Sequence, residues 1–319
     1  MLGRRHYRIK VFQALYAWFQ GGEARQDVAE RSLLLSIQKI YELYFIQLSF
    51  LLEVIDFYRR KMEDARHKFL PTEEDINPNP KLLTNSIIGI LLANKEIQQQ
   101  ITRYKISWSE EQDMLRKIHL KIRNSKDLKE YLKSEKPSFA EDREIVYKLF
   151  KKFIARSNEL QFFCEERNIF WTDDYQSAAL LVMKTIRQIP EEFTEKSSLL
   201  SLFEKDEEDD PEDDQKFIVE LFRKTIGQSD PLEVLIESNT KNWELERIAL
   251  TDIILIKMAL IELMYFSSIP IKVTLNEYIE MSKLFSTPKS QMFINGLLDK
   301  MVEDLKAESK IKKMGRGLI

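Results

Sequence analysis

DIILIKMALIELMYFSSIPIKVTLNEYIEMSKLFSTPKSQMFINGLLDKMVED, residues Asp252 to Asp304, reads as three helices with legible joints. In the first, Ile253, Ile256, Leu260, Leu263 and Met264 recur at helical spacing, and Ile254, Met258 and Ile261 widen the stripe until almost no face is polar. Such a helix is expected to be buried on most sides. Pro270 follows the Ser267-Ser268 break, where the helix cannot continue. Thr274-Leu-Asn-Glu277 matches a capping box, in which the hydroxyl and the carboxylate each satisfy an orphan backbone N–H. Thr287-Pro288 places a cap and a first-turn proline before the third helix. Asn295-Gly296 lies mid-helix, at a cost of about 1 kcal/mol against alanine. That cost points to close contact with a neighbouring helix.

Three segments of this stretch carry a family resemblance. The first holds Asp252, Leu255, Lys257, Ala259 and Glu262-Leu263; the second Ile269-Pro270, Val273, Asn276-Glu277, Glu280, Lys283 and Phe285. The third is the unbroken run from Phe293 to Asp299, FINGLLD. Together they resemble the NusB transcription antitermination family. Ile253 departs from the pattern, since many members carry arginine after the aspartate.

Outward from this stretch, composition fixes the class. Eight glycines and nine prolines in 319 residues, with no sustained strand-like alternation, predict an all-α chain. The net charge of −3 gives no global basic bias, so any nucleic-acid signal has to be local. The single cysteine, Cys164, excludes an intrachain disulfide and fits a reducing cytosol. The N-terminus has arginines but no apolar run or cleavage site, so no signal peptide is expected. The most apolar helix, around Leu33 to Tyr58, has an uncharged core, Leu43 to Leu52, that is half of the roughly 20 residues a membrane span needs. No membrane partner is expected.

Residues 4–19, RRHYRIKVFQALYAWF, form an amphipathic helix with Val11, Phe12, Leu15, Tyr16 and Phe19 on one face. At about 100° per residue, Arg4 and Arg8 share the azimuth of Val11 and Leu15. One geometry accommodates this: the C-terminal half docks on the core and the first two turns project beyond it. The first twenty residues hold four Arg or Lys (Arg4, Arg5, Arg8, Lys10) and no acid. A solvated basic helix start is the plain alternative, but cations at a helix N-terminus oppose the macrodipole. Charge placed against local preference suggests a ligand, and phosphate is the natural one.

The intervening region is helical throughout. A long helix spans Asp27 to about Lys68, its stripe of Tyr41, Tyr44, Phe45, Phe57 and Tyr58 serving as core. Others are expected at 81–104, 110–123, 126–134, 139–167 and 174–189, with capping boxes at Ser109–Gln112 and Ser138–Glu141. Residues 204–214, EKDEEDDPEDD, carry nine acids and one lysine. They read as a solvated linker, with an RNA mimic competing for the Arg4–Lys10 surface as the sharper alternative. Phe217 to Gly227 and the segment from Asp230-Pro231 are further helices, and the basic tail 306–316 is expected to be mobile. The resemblance, which leaves the middle region without a counterpart, implies a core from 1–20 and 216–319, an additional helical region at 21–189, and an acidic linker at 190–215.

No catalytic constellation stands out. His6, His67 and His119 have no ligand at i+3 or i+4, and Cys164 has no histidine partner, so neither a metal nor a cofactor is expected. The chain reads as a non-enzyme. The resemblance implies an RNA-binding antitermination factor. Such a factor pairs with the small-subunit ribosomal protein that doubles as NusE and binds single-stranded boxA RNA of rRNA leaders. It then assembles an antitermination complex on RNA polymerase. Single-stranded recognition needs cations for phosphates and planar groups for bases. Arg4, Arg5, Arg8, Lys10 and Lys289 supply the former; Tyr16 and Phe293 are the aromatic candidates. Two other classes stay open: the NusB-like accessory domain of an rRNA methyltransferase, which requires an α/β domain beyond Ile319, and a helical scaffold. Self-association also stays open.

Overall fold

The computed structural model describes residues 3–21, 25–134, 138–200, 211–240 and 248–313, with the side chains of 74 and 211–213 set aside. Regular structure among the described residues is helical without exception, so the chain is all-α. In chain order the helices are α1 (Arg4–Gly21), α2 (Gln26–Arg66), α3 (Glu73–Ile76), α4 (Ser86–Ala93) and α5 (Lys95–Arg103). Then come α6 (Gln112–Asn124), α7 (Lys126–Lys133), α8 (Phe139–Leu149), α9 (Asn158–Arg167) and α10 (Tyr175–Gln188). The last five are α11 (Pro211–Gly227), α12 (Ser229–Asn239), α13 (Leu250–Tyr265), α14 (Ile271–Phe285) and α15 (Pro288–Ala307). No helix among the described residues is long and apolar enough to cross a membrane.

The chain divides into two compact units, residues 38–202 and residues 2–37 with 203–319. The division falls inside α2, not at the end of the first helix where the resemblance placed it. The reason is visible in side chains: Leu33 and Ile37 are buried, and Glu30 makes a bidentate pair with Arg223 of α11. The first turns of α2 thereby belong with the C-terminal helices.

Within residues 38–202, α8 packs against α4, α7 and α10. Its Asp142 accepts hydrogen bonds from Ser86 N, Ser86 Oγ and the Tyr131 hydroxyl, at 2.6–2.8 Å. Asn85 caps α4 by accepting from Ile87 and Ile88 N–H, and its amide donates to Tyr131 and to the Asp142 carbonyl. This buried polar set is thus satisfied by its own members. Two expected helices are broken, each at a capping side chain. Asn94 ends α4 and accepts from Ile97 N to begin α5, while its amide donates to the Ser197 carbonyl. Ser157 accepts from Leu160 N to start α9, after a single π turn at Phe150–Ile154. A polar side chain satisfying orphan N–H groups competes with helix continuation, and here it wins. Ser109–Gln112 is not a capping box, because α6 starts at Gln112 with no side-chain cap. Cys164 is fully buried, and burial pushes its thiol up to about 12. Residues 190–200 lie against α5: the Lys95 N–H donates to Glu195 O, and the Leu199 N–H to the Glu96 carboxylate.

In the other unit, α13 is the central element and touches α1, α11, α12, α14 and α15. Every residue from Ile254 to Leu263 is buried. α15 opens as the sequence indicates, with Thr287 accepting from Ser290 N and Pro288 in the first turn. Lys313 is docked, donating to the Glu262 and Phe266 carbonyls at the end of α13, so this part of the basic tail is fixed. Residues 314–316 and 204–210 lie outside the described residues.

Gly296 corrects one sequence reading. It is exposed on α15, and a Cβ added there meets nothing within 4 Å, so no neighbouring helix demands a glycine. Gly296→Ala should therefore stabilise the protein by about 0.4–1 kcal/mol in urea unfolding. A loss of stability would show that the position is more crowded than it stands here.

Candidate nucleic-acid interface

The opening turns of α1 do not project from the core. Tyr7 is fully buried and Arg8 is 2% exposed. The reason is Glu262, the carboxylate that interrupts the apolar run of α13. Arg8 Nε donates to Glu262 Oε2 and Nη2 to Oε1, both at 2.7 Å, in a planar fork-to-fork pair. Two more donors complete the carboxylate: Thr274 Oγ1 at 2.8 Å and the Tyr278 hydroxyl at 3.2 Å. Thr274 and Tyr278 are four residues apart, which puts both hydroxyls on one face of α14. Burial works against the Arg8 charge, but the Glu262 bonds outweigh it and hold the guanidinium above its ordinary value. Burial, reinforced by the Glu262 charge, keeps the Tyr278 phenol well above its own.

Thr274-Leu-Asn-Glu277 is therefore not a capping box. α14 starts at Ile271, after Pro270, and both side chains are committed elsewhere. Glu277 forms a second fork pair, with Arg5 Nε at 2.8 Å and Nη2 at 2.7 Å. The Arg5 bonds hold the Glu277 carboxyl below its usual range against the opposing effect of burial. Arg4 Nε lies 3.3 Å from Asp214 Oδ1. Asp214 closes the acidic run, and it is that run's one side chain among the described residues. The Arg4 and Arg8 guanidinium groups both lie over the Phe217 ring, at 5.6 and 5.3 Å.

Arg4, Arg5 and Arg8 line one open cleft of about 510 Å³, together with His6, Pro270, Val273 and Glu277. Burial holds the His6 imidazole below its ordinary value. The side chains of Arg4 and Arg5 are 36% and 45% exposed, so their positive edges face solvent. Lys10 is buried, at 4% exposure. Tyr16 is exposed farther along α1, where its hydroxyl accepts from Gln20. Lys289 is exposed in the first turn of α15 and Phe293 is half-buried one turn on, while Ile294, Leu297, Leu298 and Met301 form that helix's buried stripe. None of Lys10, Tyr16, Lys289 and Phe293 lines the arginine cleft. Sequence reasoning missed Glu262 as the partner of Arg8 and Phe217 as the platform. A lone carboxylate in an apolar helix does require a cation, which was the available clue.

Removing one partner of a buried pair leaves the other charge uncompensated, at about 3–5 kcal/mol. Arg8→Ala and Glu262→Gln should each lose roughly that much in urea unfolding, with little response to salt because the pair is shielded from it. A loss below about 1 kcal/mol would make Arg8 a surface charge.

Comparison with known proteins places these helices. The NusB family model matches residues 175–303, which reaches back to α10 and does not include α1. The protein named "Transcription antitermination protein NusB" from Salinibacter ruber is 42% identical over 103 residues, covering 32% of this chain and 64% of the relative. Its namesake from Chloroherpeton thalassium is 37% identical over 103 residues, 32% of this chain and 49% of the relative. That from Bacillus pumilus is 35% identical over 99 residues, 31% of this chain and 76% of the relative. The chain thus spans about two thirds or less of the first two. No solved structure matches. With three quarters of the Bacillus pumilus protein covered and the α11–α15 core inside the family match, this chain belongs to the NusB family.

Proposed function

We propose that this protein is a cytoplasmic, non-catalytic RNA-binding factor in transcription antitermination. In this reading it acts with the NusE ribosomal protein, binds boxA-type single-stranded RNA in rRNA leader transcripts and helps assemble an antitermination complex on RNA polymerase. The names of its relatives support the process, and the resemblance of its motifs supports the RNA and the partner. The observation that carries the RNA part is the pair Arg4 and Arg5, exposed at the rim of a cleft on the family core.

The chemistry separates the cations of α1 by burial. The Arg4 and Arg5 guanidinium groups can take a phosphate on their solvent side while Asp214 and Glu277, only 11% and 18% exposed, stay in place behind them, whereas Arg8 is bound to Glu262 and turns no edge to solvent. Arg4, Arg5 and Lys289 are the phosphate contacts of this reading. Tyr16 and Phe293 are the stacking platforms, at about 1–3 kcal/mol per base. Arg8 and Lys10, both buried, fall outside the contact set.

Two measurements test this. Each single-strand phosphate contact contributes about −0.7 to the slope of log K against log salt, so Arg4→Ala with Arg5→Ala should flatten the slope by about 1.4. An unchanged slope would remove α1 from the interface. Phe293→Ala should weaken RNA binding by about tenfold to a hundredfold while its melting curve moves little. A far earlier melt with wild-type affinity would assign the ring to the core instead.

A further inference from the structure

The unit of residues 38–202 has its own cleft, of about 410 Å³, walled by α2, α6, α7 and the connection around Asn77. The family match does not reach these residues, and the RNA reading gives them no role. Three cations converge on the cleft: Lys61 from α2, Arg123 from the last turn of α6 and Lys129 from α7. Arg123 and Lys129 form no ion pair among the described residues, and Lys61 makes only an exposed pair with Asp64. The one carboxylate of the lining, Asp75, is already engaged by Lys68 Nζ at 2.9 Å and the Thr72 N–H at 3.0 Å. The cleft therefore holds two cations, Arg123 and Lys129, with no ion-pair partner among the described residues.

His119 adds an independent observation. It lines the same cleft, is 5% exposed, and its Nδ1 is buried without a hydrogen-bond partner. Its ring packs between Phe57 and Tyr58, with centroids 5.3 and 5.4 Å away. Burial, then the charges of Arg123 and Lys61, push the imidazole down to about 4. Helix dipoles account for only part of the arrangement. Arg123 stands at the C-terminal end of α6, where a cation is favoured, but Lys129 lies in the N-terminal half of α7, where it is not. Like charges gathered on one cleft, beside an orphaned polar atom, are the mark of an anion site.

We propose that this cleft binds a phosphate monoester carried on a small organic group of about mononucleotide size. The cations, with the side-chain amides of Asn77 and Asn124 as further donors, suit the several oxygens of a phosphate. The volume exceeds what a bare phosphate fills and lies within the ~300–1,000 Å³ of small-molecule sites. Met62 and Leu128 supply an apolar wall for the organic part. A free metabolite and the 5′ end of an RNA present the same group.

The test is calorimetric titration of the full chain with inorganic phosphate, nucleoside 5′-monophosphates, the matching nucleosides, and an oligoribonucleotide with or without a 5′-phosphate. Binding should require the phosphate and should weaken by at least about tenfold in Arg123→Gln with Lys129→Gln. Both positions are exposed, so the melting temperature should hold. The His119 imidazole resonances should shift with the phosphorylated probe alone. Monophosphates binding alone identifies a free metabolite, and the 5′-phosphorylated oligonucleotide binding alone identifies an RNA end; either supports the site. No binding by any phosphorylated probe, equal binding of the nucleosides, or binding unchanged in the double variant overturns it.

Discussion

The buried pair between Arg8 and Glu262 is the constraint on which the C-terminal unit turns. An isolated charge in a protein interior is too costly to keep, so each of these groups is tolerable only with the other in place. Glu262 accepts four hydrogen bonds, two from α1 and two from α14, and it is itself carried on α13. Three helices are thereby held at one point in fixed register, although 254 residues separate the two charges in sequence. Arg5 and Arg4 precede Arg8 by three and four positions, so they share its side of the helix. Fixing Arg8 inside therefore also fixes where Arg4 and Arg5 come out.

The same logic repeats along α13. Asp252, Lys257 and Glu262 are its buried ionisable residues, spaced five apart in a helix whose interior is otherwise apolar. Five residues advance about 140° around a helix, so the three point in different directions. Each finds a different neighbour. Asp252 meets the Ser286 hydroxyl at the end of α14, Lys257 meets Ser229 and Glu233 of α12 with Phe19 beneath it, and Glu262 meets α1 and α14. Apolar side chains tolerate sliding and rotation, whereas three charges with three addresses do not. This gives a physical content to the Asp252, Lys257 and Glu262 positions of the family motif: they set the orientation of the central helix.

What could be read from the sequence was whatever local pattern decides. The apolar run of α13 announced burial, and Thr287-Pro288 announced the start of α15, because both depend on residues within a turn or two. Capping patterns were less dependable. Thr274 and Glu277 have the spacing of a capping box, yet charged partners on α13 and α1 offer more than a backbone N–H. Conversely, Asn94 and Ser157 do cap, and so cut helices that apolar periodicity alone would continue. The division inside α2 was illegible for another reason. A helix of 41 residues can serve two cores without any change in its own pattern, and only the position of Arg223 shows where Glu30 belongs.

Within the candidate interface, exposure along α1 sorts charges that look alike in sequence. Arg4, Arg5 and Arg8 all face carboxylates, and a list of ion pairs would treat them equally. Their side-chain exposures, 36%, 45% and 3%, do not. In water the attraction between unit charges at 4 Å is only about 1 kcal/mol, and salt screens it further. At the rim, in the proposed reading, an incoming phosphate would meet the solvent side of Arg4 and Arg5, while Asp214 and Glu277, at 11% and 18% exposure, stay behind them. Inside, neither partner of Arg8 and Glu262 has water to fall back on. The arginine that is bound most tightly is thus the one least able to exchange partners. The arginine-rich opening of the chain accordingly divides into one residue that holds the helix and two whose guanidinium groups still reach solvent.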